Sequence, residues 1–147
     1  MRSQIVIASM ALMLGACTQP PASSDSHAKA VAAGEPAAEL AQPLVVSTNE
    51  PFWGFAITGK AVEFSGLGVD PGRRLEVIED QVSDTTRHLV ATDAGGRVEL
   101  QVRLEPCADS MSGAAFPYWA QASVDGAPAV QGCARPASMP PPGEPGA

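Results

Sequence analysis

The octapeptide Arg97–Leu104, RVELQVRL, alternates apolar and polar residues without a break. In an extended chain Val98, Leu100, Val102 and Leu104 share one face, and Arg97, Glu99, Gln101 and Arg103 share the other. Such alternation marks a half-buried antiparallel strand with its apolar side on a core. Tyr118–Val124 repeats the pattern, with Tyr118, Ala120, Ala122 and Val124 together. Weaker alternation runs through Leu44–Thr48, Gly54–Thr58, Ala61–Ser65, Arg74–Glu79, Thr86–Thr92 and Ala127–Gly132. Turn-forming residues separate these runs: Gly59-Lys60, Asp70-Pro71-Gly72, Asp93-Ala94-Gly95-Gly96 and Asp125-Gly126. Asp93–Gly96 predicts a hairpin over Thr86–Leu104, and Asp125-Gly126 a second over Tyr118–Cys133. No segment carries a helical period and no repeat is present. About eight short strands within Leu44–Arg135 predict an all-β domain, a small antiparallel barrel or sandwich.

Composition changes on both sides of this region. Thr18–Pro43 is rich in Ala, Pro and Ser and has no aromatic residue. It cannot bury enough apolar surface to offset chain entropy, so a flexible tether is expected, with at most a helical turn at Ala37–Gln42. Pro136–Ala147, PASMPPPGEPGA, predicts a disordered or polyproline-like tail. The 147 residues, with 14 Gly and 14 Pro, leave room for one small domain, which benefits from a covalent staple. The formal net charge is −7. That disfavours nucleic acid, whose phosphates need a basic footprint, and docking on anionic lipid by charge alone.

The N-terminus reads as an address. Arg2 precedes an apolar run, Ile5–Leu14. The run has about ten residues where a membrane-spanning helix needs about 20, and fits a signal-peptide core. It ends in Leu14-Gly15-Ala16-Cys17, which resembles the bacterial lipoprotein signal. The resemblance implies removal of residues 1–16, diacylation of the Cys17 thiol and acylation of the new amine. Several acyl chains together anchor stably. Residues 17–43 would then be the lipidated Cys and its tether. Thr18, in place of Asp, implies the periplasmic face of the outer membrane in a two-membrane host. The membrane is thus an expected partner, through the anchor.

Two cysteines remain, Cys107 and Cys133, an even pair in an oxidising compartment. Their bridge would close a loop of about 26 residues and contribute roughly 3 kcal/mol. It would tie the end of the 97–104 strand to the last strand, with Cα atoms within about 7 Å. A thiolate metal site would need further ligands, and the domain offers only His88, His27 being in the tether. No metal or cofactor is expected. Ser110, His88 and Asp109 could be imagined as a triad, but there is no G-x-S-x-G elbow and no Gly-rich phosphate loop. Acidic residues are scattered. Catalysis is not expected.

Two clusters stand out. Asn49-Glu50-Pro51-Phe52-Trp53 is a polar turn running into adjacent aromatics. Cys107-Ala108-Asp109-Ser110-Met111-Ser112-Gly113 is followed by Phe116-Pro117-Tyr118-Trp119. Packing is the simpler reading: the aromatics seal a barrel end, and Asp109 and Ser110 bond their own backbone in a turn. The functional reading is a binding rim of Glu50, Phe52, Trp53, Asp109, Met111 and Tyr118 for a partner or an apolar ligand. A barrel closes first strand to last, so the clusters are expected at one end, with Trp53 against Cys107–Trp119.

N-E-P-F-W (Asn49–Trp53), C-x-D-x-M-S (Cys107–Ser112), F-P-Y (Phe116–Tyr118) and G-C-A (Gly132–Ala134) together resemble a family of uncharacterised bacterial envelope proteins. Its members are small lipoproteins or other membrane proteins, sometimes joined to a META/HslJ-type domain. Members usually carry Gly where this chain has Ser110, and Asp where it has Gly113. The resemblance implies a fold and a location rather than an activity. The expected role is a lipid-anchored periplasmic binding or structural protein of the envelope, in maintenance or stress, with an envelope protein as candidate partner. The alternative is a protein inhibitor of an envelope-directed hydrolase such as lysozyme, by analogy with small disulfide-bonded barrels and from the acidic surface.

Overall fold

The computed structural model describes residues 35–143. The signal segment, Cys17, His27 and the first part of the tether lie outside the described residues. The described part begins with a short helix, α1 (Glu35–Ala41). It continues through β1 (Leu44–Thr48), β2 (Trp53–Thr58), β3 (Ala61–Gly66), β4 (Val69–Val82), β5 (Thr86–Asp93) and β6 (Gly96–Arg103). After β7 (Cys107–Ala108) and β8 (Ala115–Phe116) come β9 (Tyr118–Val124) and β10 (Val130–Pro136). Strands β1–β6, β9 and β10 form a closed antiparallel barrel in order of sequence, and β7 and β8 pair outside it as a flap. The fold is all-β, and of the two expected architectures it is the barrel.

Alternation decides what fills it. On β6, Val98, Leu100 and Val102 are buried, and on β9 Tyr118, Ala120, Ala122 and Val124 are buried, while the residues between them keep access to water. Large side chains from β2 to β6, among them Phe55, Ile57, Phe64, Leu75, Leu89 and Leu100, share one core with the small Ala120, Ala122 and Ala134 of β9 and β10. Opposing large and small positions fill a barrel too narrow for large residues on every wall. Closure is made by β1 against β10, from Leu44↔Pro136 to Thr48↔Gly132. A Cβ on Gly132 would strike the Ser47 carbonyl, so glycine lets the seam close.

Four boundaries differ from the sequence reading. The folded unit starts before Leu44, because α1 inserts Leu40, fully buried, into the core. A helix that buries one leucine shows no amphipathic period. The segment after Pro136 is not all tail: Ala137 N–H donates to the Pro43 carbonyl at 2.9 Å, and Met139 N–H to that of Pro136 at 3.0 Å. Asp70-Pro71-Gly72 lies inside β4, and the turn before it is Leu67-Gly68, with Gly68 at φ +80°. The last strand is Val130–Pro136 rather than Ala127–Gly132, because the turn begun by Asp125 and Gly126 runs on to Ala129.

Arg87 holds the helix-covered end together. It shares the inward parity of Leu89 and Ala91 on β5 and is 4% exposed. Its guanidinium donates to both carboxylate oxygens of Asp80 at 2.8 Å, and to the carbonyls of Leu40 at 2.8 Å and Gln42 at 3.0 Å. One cation therefore satisfies carbonyls at the end of α1, where helices leave acceptors unpaired, and neutralises a carboxylate. On the outside, Cys107 and Cys133 are joined with Cα atoms 5.6 Å apart. Both are buried where the flap lies against β10.

Arg87→Ala should lower the unfolding free energy by about 2–3 kcal/mol in urea denaturation. That is below the range for a fully buried pair, because Asp80 keeps 32% of its side-chain surface exposed. Replacing both Cys107 and Cys133 by Ser should cost about 3 kcal/mol in the same assay. Proteolytic cuts should then concentrate in the flap, because the bridge binds it to the barrel.

Candidate functional site

The end of the barrel opposite α1 is a depression of about 500 Å³. Its walls come from the β1–β2 loop, the β3–β4 turn, the start of β4 and the β9–β10 turn, and include Trp53, Phe64, Leu67, Val69, Arg73 and Asp125. Trp53 points inward because it has the parity of Phe55 and Ile57 on β2. It meets Phe64 edge-on at 5.7 Å and Phe55 at 6.4 Å, while Phe55 and Phe64 stack at 4.8 Å. The floor is thus aromatic. Leu67, 74% exposed, stands at the lip.

Arg73 sets the electrostatics. It has the inward parity of Leu75, and its guanidinium lies 5.7 Å from the Phe64 ring centre, within cation–π range. It forks onto Asp93 at 2.7 and 2.9 Å and also donates to Asp125 at 2.9 Å. Hydrogen bonds from Arg73 hold the Asp93 carboxyl down at about 2, helped by the N–H groups of Gly95 and Gly96 and opposed by desolvation. Asp125 is lowered by the same guanidinium and by the Arg97 N–H. The Arg73 guanidinium is raised in turn, chiefly by Asp93. Gly96 adopts φ +148°, and a Cβ there would collide with the Asp125 carboxylate. Two carboxylates thus share one guanidinium, and the exposed Asp70 adds a third acidic residue to the lining. The mouth is aromatic and carries excess negative charge.

The six expected rim residues do not converge. Trp53 is in the mouth. Phe52 and Glu50 are exposed on the loop leading to it. Met111, 63% exposed, stands on the flap. Asp109 organises that flap: its Oδ1 accepts from Ser112 Oγ and N at 2.7 Å and from Met111 N at 3.1 Å. These bonds, the Ser112 hydroxyl first, hold its carboxyl at about 2. Tyr118 is no rim residue. Its parity on β9 turns it into the core towards α1, where its hydroxyl lies 3.4 Å from Glu39 Oε2 and burial raises its pKa. The two sequence clusters do meet, through Asn49, which donates to Ser110 Oγ at 2.9 Å. The Trp53 ring packs on Phe55 and Phe64.

His88 lies on the outer face of β5 and pairs with Glu99 Oε1 at 2.8 Å, which lowers the Glu99 pKa. Asp109 and Ser110 spend their bonds within the flap and on Asn49, so these three side chains form no triad. Among the described residues no group of three or more His, Cys, Asp or Glu is placed to hold a metal ion, and no helix is long and apolar enough to cross a membrane. Sequence reading missed Arg73 and Arg87. Arg87-Leu89-Ala91-Asp93 and Arg73-Leu75-Val77 each share one parity, and that phase is the signal that places both arginines inside.

Asp93 gives the fold an acid limit. Its carboxyl sits at about 2 against the ordinary 3.8, so the folded state favours the carboxylate. This contribution is complete above 3.8 and is lost as the pH falls through 2. Asp93→Asn should lower the urea midpoint at pH 7 and flatten its decline between pH 4 and 2. The part due to Asp109 should remain. Denaturation followed at several acid pH values checks this.

No protein-family model matches the chain, and neither does any curated protein or solved structure.

Proposed function

We propose that the protein is a lipid-anchored periplasmic binding protein of the cell envelope, and that the open barrel mouth takes a basic side chain carried on an apolar segment of an envelope protein. The observation that carries this reading is the mouth itself. An otherwise filled barrel leaves about 500 Å³ open at one end, floored by Trp53 and Phe64 and bordered by Asp70, Asp125 and Arg73, with Asp93 bonded to Arg73 beside it. Aromatic faces and excess carboxylate both favour a cation, and Leu67 and Val69 favour an apolar stem. The Cys107–Cys133 bridge suits an oxidising compartment, and the Leu14–Cys17 motif supplies the anchor. The second reading, inhibition of a hydrolase such as lysozyme, draws on the same acid excess. A basic enzyme could present an arginine to the mouth, and loss of lysozyme activity on adding the protein is what would favour it.

Cys17→Ser should move the protein from the membrane fraction to the soluble one. Sedimentation with membranes at the level of the parent would reject the anchor. The mouth is tested in a Trp119→Phe background, where Trp53 is the remaining indole. A short peptide with one arginine between leucines should change Trp53 emission saturably, and Asp70→Asn should weaken it about two- to fivefold. An unchanged emission would reject the mouth as the site.

A further inference from the structure

The outer face of the barrel carries a second feature, independent of the mouth. Register places His88 on β5 opposite Gln101 on β6, Gln101 opposite Gln121 on β9, and Gln121 opposite Gln131 on β10. All four have outward parity, so they form a straight row across four strands. Neighbouring strands lie about 4.8 Å apart, which makes the row about 14 Å long. His88, Glu99, Gln101, Gln121, Ser123 and Ala129 surround a depression of about 390 Å³. Gln131 continues the row into a cleft of about 180 Å³ beneath the flap.

The amides of Gln101, Gln121 and Gln131 form no hydrogen bond to any other described residue, whereas His88 is bonded to Glu99. Each free amide presents a carbonyl acceptor and an NH₂ donor at one tip. Beside the row, the Arg103 guanidinium lies over the Trp119 ring, 3.8 Å from its centre.

We propose that this row is a binding site for a neutral glycan chain. A sugar hydroxyl is both donor and acceptor, so adjacent hydroxyls pair with adjacent amides in either sense. The three glutamines are uncharged, and the cations that flank them are each paired with a carboxylate, Arg97 with Glu99 at 3.1 Å and Arg103 with Glu105 at 3.3 Å, so the row offers a charged polymer little to neutralise. A peptide strand binds a sheet by main-chain bonds at an edge, and β5, β6, β9 and β10 are each paired on both sides. The length of the row accommodates more than one sugar ring, and the depression around His88, Gln101 and Gln121 holds a ring against two of the amides.

The test uses the full chain in detergent, uniformly ¹⁵N-labelled and titrated with a linear tetramer of N-acetylglucosamine, with maltotetraose, and with a Gly/Ser peptide of similar length. Either sugar should shift the side-chain NH₂ signals of Gln101, Gln121 and Gln131 at millimolar concentration. Gln101→Ala and Gln121→Ala should each weaken binding about tenfold. Both side chains face outward, so far-UV circular dichroism and the urea midpoint should stay at the parent's values. The proposal is overturned if neither sugar shifts these signals, if only the peptide does, or if the folded variants bind the sugar as tightly as the parent.

Discussion

Everything in this molecule depends on the pairing of β1 with β10. Once that seam closes, each of the eight barrel strands has a partner on both sides, and the stretch of β4 beyond Glu76, which pairs with β5 alone, is what remains of an edge in the barrel. Closure also fixes the interior volume, so each inward position must suit the wall it faces. Phe55, Phe64 and Leu100 can be large because Ala120, Ala122 and Ala134 are small. The disulfide holds the flap over β10, one of the two strands that make the seam.

Closure leaves two ends, and each is met by an inward arginine. At one end Arg87 joins Asp80 to the last carbonyls of α1, and Leu40 fills the space beneath. At the other, Arg73 joins Asp93 and Asp125 across the gap between β5 and the β9–β10 turn. Such pairs fix a geometry as much as they stabilise it, since the guanidinium fork matches a carboxylate in one orientation. The difference between the ends is that a helix covers the first and nothing among the described residues covers the second. That asymmetry underlies the binding proposal: the covered end is spent on stability, and the open end keeps aromatic and charged groups in contact with solvent.

The β-architecture was legible because alternation in Arg97–Leu104 and Tyr118–Val124 is strict, and a period of two has one structural meaning. The disulfide was legible from counting cysteines. Three features were hidden for physical reasons. A helical turn was expected at Ala37–Gln42, but the docking of α1 was hidden, because one leucine and an arginine from β5 anchor it and neither leaves a periodic trace in Glu35–Ala41. Asp70-Pro71-Gly72 has turn composition, yet Leu67-Gly68 makes the turn, and the barrel extends β4 through the Pro. Tyr118 was grouped with exposed residues by its neighbours in sequence, although its own parity put it inside. In the candidate site Trp53 was legible as an unusual aromatic. Arg73, Asp93 and Asp125 were not, because they are 52 positions apart at the extremes and meet only when the barrel closes.

The claim that one barrel end is a site and the other a plug is tested most directly by mapping amide shifts in the ¹⁵N spectrum of the full chain as the leucine-flanked arginine peptide is added. The account predicts shifts at Pro51–Trp53, Leu67–Arg73 and Val124–Asp125, with the amides of α1 and the Arg87 end unmoved. Shifts centred on α1, or a spectrum that does not change at saturating peptide, would contradict it.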